Sequence, residues 1–136
     1  MQAAERSLEE IEGSYWGEPP TGATRLIATV HALRRRPIGR LDVEDLRVLI
    51  AQRVGLDVVV PLALARLEED PLAEGDFYPG DLLVAVVRLP AEYWRTRGPE
   101  AARLRRIVDS VDLSEVDDET RSDLAAFSAQ GIDEGA

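Results

Sequence analysis

Cysteine and lysine are absent from this chain of 136 residues, and histidine occurs once. Without cysteine the chain has no disulfide, no thiolate metal site and no cysteine nucleophile, which fits a cytoplasmic protein. Long apolar runs are also missing. The longest, Val58 to Ala65, is far shorter than the roughly 20 residues that a membrane-spanning helix needs. The N-terminal sequence lacks the basic region and apolar run of a secretory signal, so we expect a soluble protein that is not exported.

Charge is the strongest compositional signal. The chain has 26 acidic residues against 16 basic ones, all arginine, and a formal net charge of -10. Phosphate binding needs a cationic face, so nucleic acid is an unfavourable ligand for this chain. A basic protein partner would be attracted by the same field, although acidity also serves solubility alone.

Hydrophobic residues recur at helical spacing through most of the chain. One predicted helix closes on Arg34, Arg35 and Arg36 before Pro37, where cations favour the carbonyl end of the helix. The next has Asp42 as its N-cap with Asp45 in a capping box. We expect it to end at Gly55, in the left-handed conformation.

The segment Leu56 to Asp70 predicts a central helix that begins between Val58 and Pro61 and is stopped by Pro71. Beta-branched residues leave 57–61 and 82–89 open to a strand interpretation, although helix is favoured in both. Further along, Pro90 opens a short helix that Gly98 ends, and Pro99 opens another with its arginines outward.

From residue 109 the composition becomes strongly acidic, and one amphipathic helix with a frayed tail is predicted over 109–136. The whole chain, 1–136, is therefore predicted to be a single all-α domain, a compact bundle of about six to eight short helices.

No catalytic constellation is recognisable. His31 lies mid-helix without a nucleophile motif nearby, and we interpret it as a partly buried packing residue. Phosphate loops, dinucleotide fingerprints and paired-histidine metal motifs are missing. We therefore predict no catalytic residue, no metal ligand and no cofactor.

The most unusual stretch is EEDPLAEGDFYPGDLL, Glu68 to Leu83, which places acids and aromatic rings together. It does not match a calcium loop, because apolar residues occupy ligand positions. Two prolines and two glycines predict a stiff loop of defined shape. Phe77 either plugs the space between helices or offers binding area, whereas Trp16 and Trp94 are expected in the core or at its edge.

Four stretches resemble the immunity proteins of contact-dependent growth inhibition (CDI) systems. They are SLEEIEGSYWGEPP (7–20), LRRRPIGRLDVEDLRVLIAQRVGL (33–56), VPLAL (60–64) and EEDPLAEGDFYPGDLLVAVVRLP (68–90). The most specific combination is WGEPP, the VEDLR helix and DFYPGDLL. The region after Asp109 has no counterpart in this resemblance.

The resemblance implies a cytoplasmic antitoxin that binds the C-terminal domain of a cognate toxin, in similar systems often a basic nuclease, and covers its active or substrate-binding face. Tight binding then requires acids for fast association and desolvated aromatics for slow dissociation. The candidate toxin contacts are Glu68, Glu69, Asp70, Glu74, Asp76, Tyr78 and Asp81. A competing acidic surface consists of Asp112, Glu115, Asp117, Asp118, Glu119 and Asp123.

Two other hypotheses remain open from the sequence. A non-catalytic helical scaffold module would use the arginine-bearing helix from Pro99 to Asp109 as much as the acids. A metal-dependent hydrolase would use the clustered carboxylates and would bind a divalent ion. The sequence does not indicate an oligomeric state.

Overall fold

A computed structural model describes residues 3–130 of the chain, and eight α-helices make up most of that part. The helices are α1 (Leu8–Glu12), α2 (Arg25–Arg34), α3 (Val43–Ala51), α4 (Leu56–Glu69), α5 (Asp81–Val87), α6 (Ala91–Arg95), α7 (Gly98–Ser110) and α8 (Asp118–Ala129). Short 3-10 turns lie at Ala3–Glu5, Ile38–Arg40 and Leu113–Glu115. The prediction of an all-α fold is confirmed.

Both segments with an ambiguous pattern are helical, since 57–61 lies in α4 and 82–89 covers most of α5. No strand occurs between residues 3 and 130, and the only β-type contacts there are two isolated bridges. Burial explains the outcome at Val59 and Val60. Both valines are fully buried among other helices, so packing overrides their preference for extended backbone.

The core is organised around α4, which packs against α3, α5 and α7. This contact on several sides is the reason why α4 is apolar around most of its circumference. Leu64 and Leu67 of α4 are fully buried, as are Leu49 of α3 and Leu83 of α5. Outside this centre, α8 covers α5 and α7, while α6 packs on α7 and buries Trp94 completely.

The predicted capping box of α3 is confirmed. The Asp42 carboxylate accepts from the Asp45 N–H at 2.8 Å, and the Asp45 carboxylate accepts from the Asp42 N–H at 3.0 Å. These bonds satisfy two backbone donors that the first turn of a helix leaves unpaired. A second capping box, between Ser7 and Glu10, starts α1.

Three predicted helix boundaries are wrong. Gly55 has the expected left-handed conformation, with φ +64°, but it precedes α4 and does not end α3. The helix α4 begins at Leu56, before the predicted start between Val58 and Pro61, and Pro61 lies inside it. Gly98 opens α7, whereas α6 ends at Arg95.

The arginine triplet lies at the end of α2 as predicted, with Arg34 in the last turn and Arg35 as the C-cap, but Arg34 has a further role. Arg34 is only 2% exposed and pairs with Glu12, and its guanidinium also donates to the Ser14 carbonyl. The same guanidinium lies 4.2 Å from the centroid of the Trp16 ring. A buried arginine therefore holds the segment after α1 onto α2, and removing Glu12 would leave the buried charge of Arg34 without this partner.

The acidic C-terminal helix predicted within 109–136 corresponds to α8. Its apolar positions Leu124 and Phe127 are buried, as is Thr120. Most of the predicted frayed tail, residues 131–136, lies outside the described residues. Of the three α7 arginines expected to face outward, Arg106 is exposed, whereas Arg103 pairs with Glu68 and Arg105 donates to the Ser128 carbonyl.

Gly55 gives a test of the packing between α4 and the N-terminal segment. A Cβ on Gly55 would lie 3.0 Å from both terminal carbons of Leu8, which is fully buried. Gly13 has a similar φ of +67°, but a Cβ there would meet nothing within 4 Å. The free energy of unfolding of Gly55→Ala should therefore be lower than that of wild type. The left-handed backbone accounts for about 1 kcal/mol of the loss and overpacking for a further amount of roughly 1–3 kcal/mol.

Gly13→Ala should lose stability only through the strain of the left-handed backbone, so the two variants separate backbone strain from packing. Urea unfolding of both variants and the wild type measures the difference. Equal losses in the two variants would contradict the close approach of Leu8 to Gly55.

Candidate functional site

The candidate site is built where α3 and α5 meet the loop of residues 70–80, here named the acidic loop. Its ends are tied together by the Gly80 N–H, which donates to the Leu72 carbonyl at 3.1 Å, and by a bridge between Glu74 and Pro79. A turn at its start places the Ala73 N–H on the Asp70 carbonyl at 3.0 Å. The stiffness that the prolines and glycines predict thus has a hydrogen-bonded basis.

Asp81, the first residue of α5, holds the middle of the acidic loop. Its carboxylate accepts from the Gly75 N–H at 2.7 Å and from the Phe77 N–H at 3.1 Å, and the residue is only 4% exposed. Two backbone donors that the loop cannot satisfy itself are therefore satisfied by one side chain. Asp81 faces into the protein, so we assign it to positioning the loop.

Glu44 and Arg47 of α3 hold the same loop from the other side. Arg47 donates to both oxygens of Glu44, at 2.7 and 2.6 Å, and its Nε lies 4.0 Å from Asp81. Glu44 also accepts from the Asp76 N–H at 2.9 Å. The hydrogen bonds from Arg47 are the main cause that lowers the pKa of Glu44, and this partnership also raises the pKa of Arg47.

Gly75 is required by this arrangement. A Cβ at this position would lie 2.5 Å from a Glu44 oxygen and 3.0 Å from an Asp81 oxygen. Both oxygens are fixed by their own hydrogen bonds, so a side chain here would push the carboxylates away from the loop. Gly75 therefore permits two acidic side chains to approach the same stretch of backbone.

The locked loop presents Glu74, Asp76 and Phe77 to solvent. Phe77 is 68% exposed, which decides between its two interpretations in favour of a surface ring. The Arg47 guanidinium lies 4.6 Å from the centroid of that ring and supports it from one side. Neither Glu74 nor Asp76 forms a side-chain hydrogen bond or ion pair with any residue from 3 to 130.

The other acids predicted as toxin contacts lie before the loop, at the end of α4. Glu68 is bonded to Arg103 of α7 through both oxygens, at 3.0 and 2.8 Å, and Asp70 accepts from the Leu72 N–H. Glu69 is exposed. Tyr78 is half-buried, and burial raises the pKa of its hydroxyl.

The second acidic surface is largely committed to local structure. Asp112 and Asp117 cap the turn and the helix that follow them, and Asp118 pairs with Arg121. Glu119 and Asp123 both accept from Arg88, the C-cap of α5, at 3.3 and 2.8 Å.

The charges of Arg88, Glu119 and Asp117 also act on the Tyr78 hydroxyl. The two acidic surfaces are alternatives in the sequence analysis. In the structure they are neighbours that meet at Arg88.

An exposed apolar strip on the N-terminal part escaped prediction. Trp16, expected in the core or at its edge, is 45% exposed, and Tyr15, Leu26 and Ile27 are also exposed. The edge of the Trp16 ring packs against His31, whose Nδ1 lies 3.1 Å from the Gly17 carbonyl. The apolar residues of α2 carried a helical signal, but the sequence did not show that part of this face lacks a neighbour.

Within residues 3–130 no three histidine or acidic side chains are grouped so that they could hold a metal ion. None of the helices in that part of the chain combines the length and the apolar character of a membrane-spanning segment. The acids of the site instead accept hydrogen bonds from backbone and arginine. What the arrangement offers chemically is a rigid surface with free carboxylates and an exposed ring.

The chain matches a known protein family. A family model described as CDI immunity proteins covers residues 10–104, which include α3, the acidic loop and α5. No curated protein matches the chain. The segment with α8 lies beyond the matched region.

Glu44→Gln tests the lock on the acidic loop. Replacing the carboxylate weakens hydrogen bonds to a charged partner and to the loop backbone, at a cost of about 2 kcal/mol near neutral pH. Because the pKa of Glu44 is lowered in the folded protein from 4.5, its contribution is fully present above that value. The contribution is lost as pH falls through the lowered pKa, when the carboxylate takes up a proton.

Urea unfolding of wild type and Glu44→Gln between pH 7 and pH 3 should therefore show a difference in free energy that shrinks toward acid. Glu68→Gln is the matched control, since it also loses a two-oxygen pair with arginine but holds no loop backbone and is more exposed. An equal loss in Glu68→Gln, or a difference independent of pH, would contradict the lock.

Proposed function

Since the chain belongs to the family of CDI immunity proteins, its role is immunity against a CDI toxin, and we propose that it binds its toxin through the acidic loop. The observation that carries the proposal is the lock of Asp81, Glu44 and Arg47 on that loop. A surface held this way loses little conformational freedom on binding. Structural stability alone does not require Glu74, Asp76 and Phe77 to be left free on it.

The proposed contact surface consists of the free acids of the acidic loop, the ring of Phe77 and the half-buried Tyr78. The acids Glu69 and Asp70 extend it toward α4, and Glu68 does so through its pair with Arg103. Aromatic rings offer much contact area on few rotatable bonds, and carboxylates attract cationic partners over distance. Asp81 contributes mainly by holding the loop, since it is only 4% exposed.

The proposed target is the C-terminal domain of the toxin, a basic nuclease, inside the cytoplasm of the cell that makes the immunity protein. A net charge of -10 speeds its association with such a domain. We propose inhibition by occlusion, in which the acidic loop covers the active or substrate-binding face. The protein itself then catalyses nothing, and protection requires one immunity protein for each toxin.

Occlusion of this kind sets a demand on the interface. Nanomolar binding corresponds to about -12 kcal/mol and is typical of interfaces that bury roughly 1,600 Å² in total. The acidic loop alone is too small for this area. The surface therefore extends to neighbouring elements, of which the α8 acids around Arg88 are adjacent to Tyr78.

The internal contacts of the α7 arginines remove the main support of the scaffold hypothesis. Its arginine-bearing helix is α7, and two of the three arginines are engaged within the protein, Arg103 with Glu68 and Arg105 with α8.

The proposal is tested with the purified chain, the cognate toxin domain and a growth assay. We expect a stable complex and rescue of cells that produce the toxin domain. Measurable turnover of a small molecule by the chain, or no rescue, would overturn the proposed function.

The contribution of the acidic loop is tested by Glu74→Ala combined with Asp76→Ala. Loss of the two free carboxylates should weaken binding at least tenfold, about 1.4 kcal/mol, and flatten its dependence on salt. Glu92→Ala with Asp109→Ala removes the same charge from exposed positions outside the loop and serves as control.

Isothermal titration at several salt concentrations measures both effects. Equal losses in the two double variants would mean that only net charge matters, and the interface would then lie outside the acidic loop.

A further inference from the structure

Beside the acidic loop lies a groove of about 320 Å³, here named the arginine groove. Its charged and aromatic walls are Arg47, Arg53, Arg88, Phe77, Tyr78 and Asp81, and its remaining walls are mostly aliphatic. In a protein with a net charge of -10, three arginines line this one groove. One acid, Asp81, lies among them, and its two oxygens accept hydrogen bonds from the loop backbone.

The three arginines differ in their engagement. Arg47 is bonded to Glu44, and Arg88 is bonded to Glu119 and Asp123. Arg53 is exposed and forms no side-chain hydrogen bond or ion pair with any residue between 3 and 130. The groove therefore contains one guanidinium whose five donors are unused by the described part of the fold.

The backbone at Arg53 supports a role for this side chain outside the fold. Arg53 is the only non-glycine residue with positive φ between residues 3 and 130, at 58°. A left-handed conformation costs an ordinary residue energy that glycine would not lose, and such strain is concentrated at functional positions. The turn between α3 and α4 thus carries a strained, unpaired arginine where glycine would fit more easily.

We propose that the arginine groove receives a carboxylate side chain of the bound toxin domain, with Arg53 as its principal partner, and that this contact selects the cognate toxin. The proposal rests on the proposed function, because the groove adjoins the acidic loop through Phe77 and Tyr78. Arg47 and Arg88 are balanced by the acids with which they pair, whereas Arg53 would be left without a counter-charge when a partner covers the groove. Binding there is favourable only if the partner places an acid against it.

The geometry suits a carboxylate. A guanidinium binds the two oxygens of a carboxylate through parallel hydrogen bonds, and the aliphatic walls exclude water from the pair. A toxin without an acid at this position would bury Arg53 unpaired, which is costly. Rejection of the wrong partner by an unpaired charge is an established source of specificity.

The test compares toxin affinity for Arg53→Glu and Arg53→Gly with wild type, by isothermal titration. Arg53→Glu should bind about 30-fold more weakly or worse, since the new glutamate would face the carboxylate of the toxin. Arg53→Gly should bind about tenfold more weakly. Global charge alone predicts the opposite sign, because Arg53→Glu makes an acidic protein more acidic. Arg95→Glu, an equal reversal at an exposed arginine outside the groove, should leave affinity unchanged or slightly improve it.

Arg53→Gly also serves as the control for correct folding, because glycine adopts the left-handed conformation without strain. Its thermal midpoint should equal or exceed that of wild type, so weaker toxin binding cannot be attributed to unfolding. Each acidic residue of the toxin domain is then changed singly to arginine. One of these changes should restore binding to Arg53→Glu while weakening binding to wild type.

Unchanged or tighter binding of Arg53→Glu would overturn the inference and leave the proposed function intact. Failure of wild type to bind the toxin domain would overturn both. Inorganic phosphate tests whether the groove binds a free anion instead. If it raises the thermal midpoint of wild type but not of Arg53→Gly, and both bind toxin equally, the groove holds a free anion and the inference is wrong.

Discussion

The structure of the site depends on one constraint, the need to satisfy the backbone donors of the acidic loop without regular secondary structure. Three N–H groups, those of Gly75, Asp76 and Phe77, donate to two carboxylates that come from α3 and α5. Arg47 keeps those carboxylates together by pairing with Glu44 and approaching Asp81. Loop shape is thereby coupled to the packing of α3 against α5, which is part of the central core.

Acidity in this protein is of two kinds. Many carboxylates are used internally, as helix caps at Asp42 and Asp117 or in pairs with arginine at Glu44 and Glu68. Such groups add to the net charge but have partners already. A smaller set is left free, and the acidic loop holds part of it beside an exposed ring. The distribution of free acids is therefore more informative about binding than their number.

A second pattern links the acidic loop to its surroundings. The arginine groove lies between α3 and α5, so the residues that lock the loop from inside also form one of its walls. On the far side of the turn between α3 and α4, the side chains of Gln52 and Val54 line a shallow apolar pocket with Trp16. Free acid, cation and exposed apolar surface thus follow one another across neighbouring elements. A protein that must recognise one partner among similar ones benefits from such mixed chemistry.

The sequence by itself determined the all-α fold, the capping of α3 and the stiffness of the acidic loop. These features follow from local rules, namely the 3.6-residue period, cap chemistry and the fixed torsions of proline and glycine. The stretches that carry the family resemblance also include the residues that the structure brings together. The same local rules misplaced Gly55 and the start of α4, because a left-handed glycine can precede a helix as well as end one.

Only the tertiary structure decided which side chains are free. Asp81 and Asp76 stand five positions apart and look alike in the sequence, yet one is buried beneath the loop and the other exposed upon it. Arg34 and Arg53 are both arginines near helix ends, but one is enclosed in an ion pair and the other has no partner within residues 3–130. Long-range contacts set these differences, and a side chain's neighbours in space are not encoded in its neighbours along the chain.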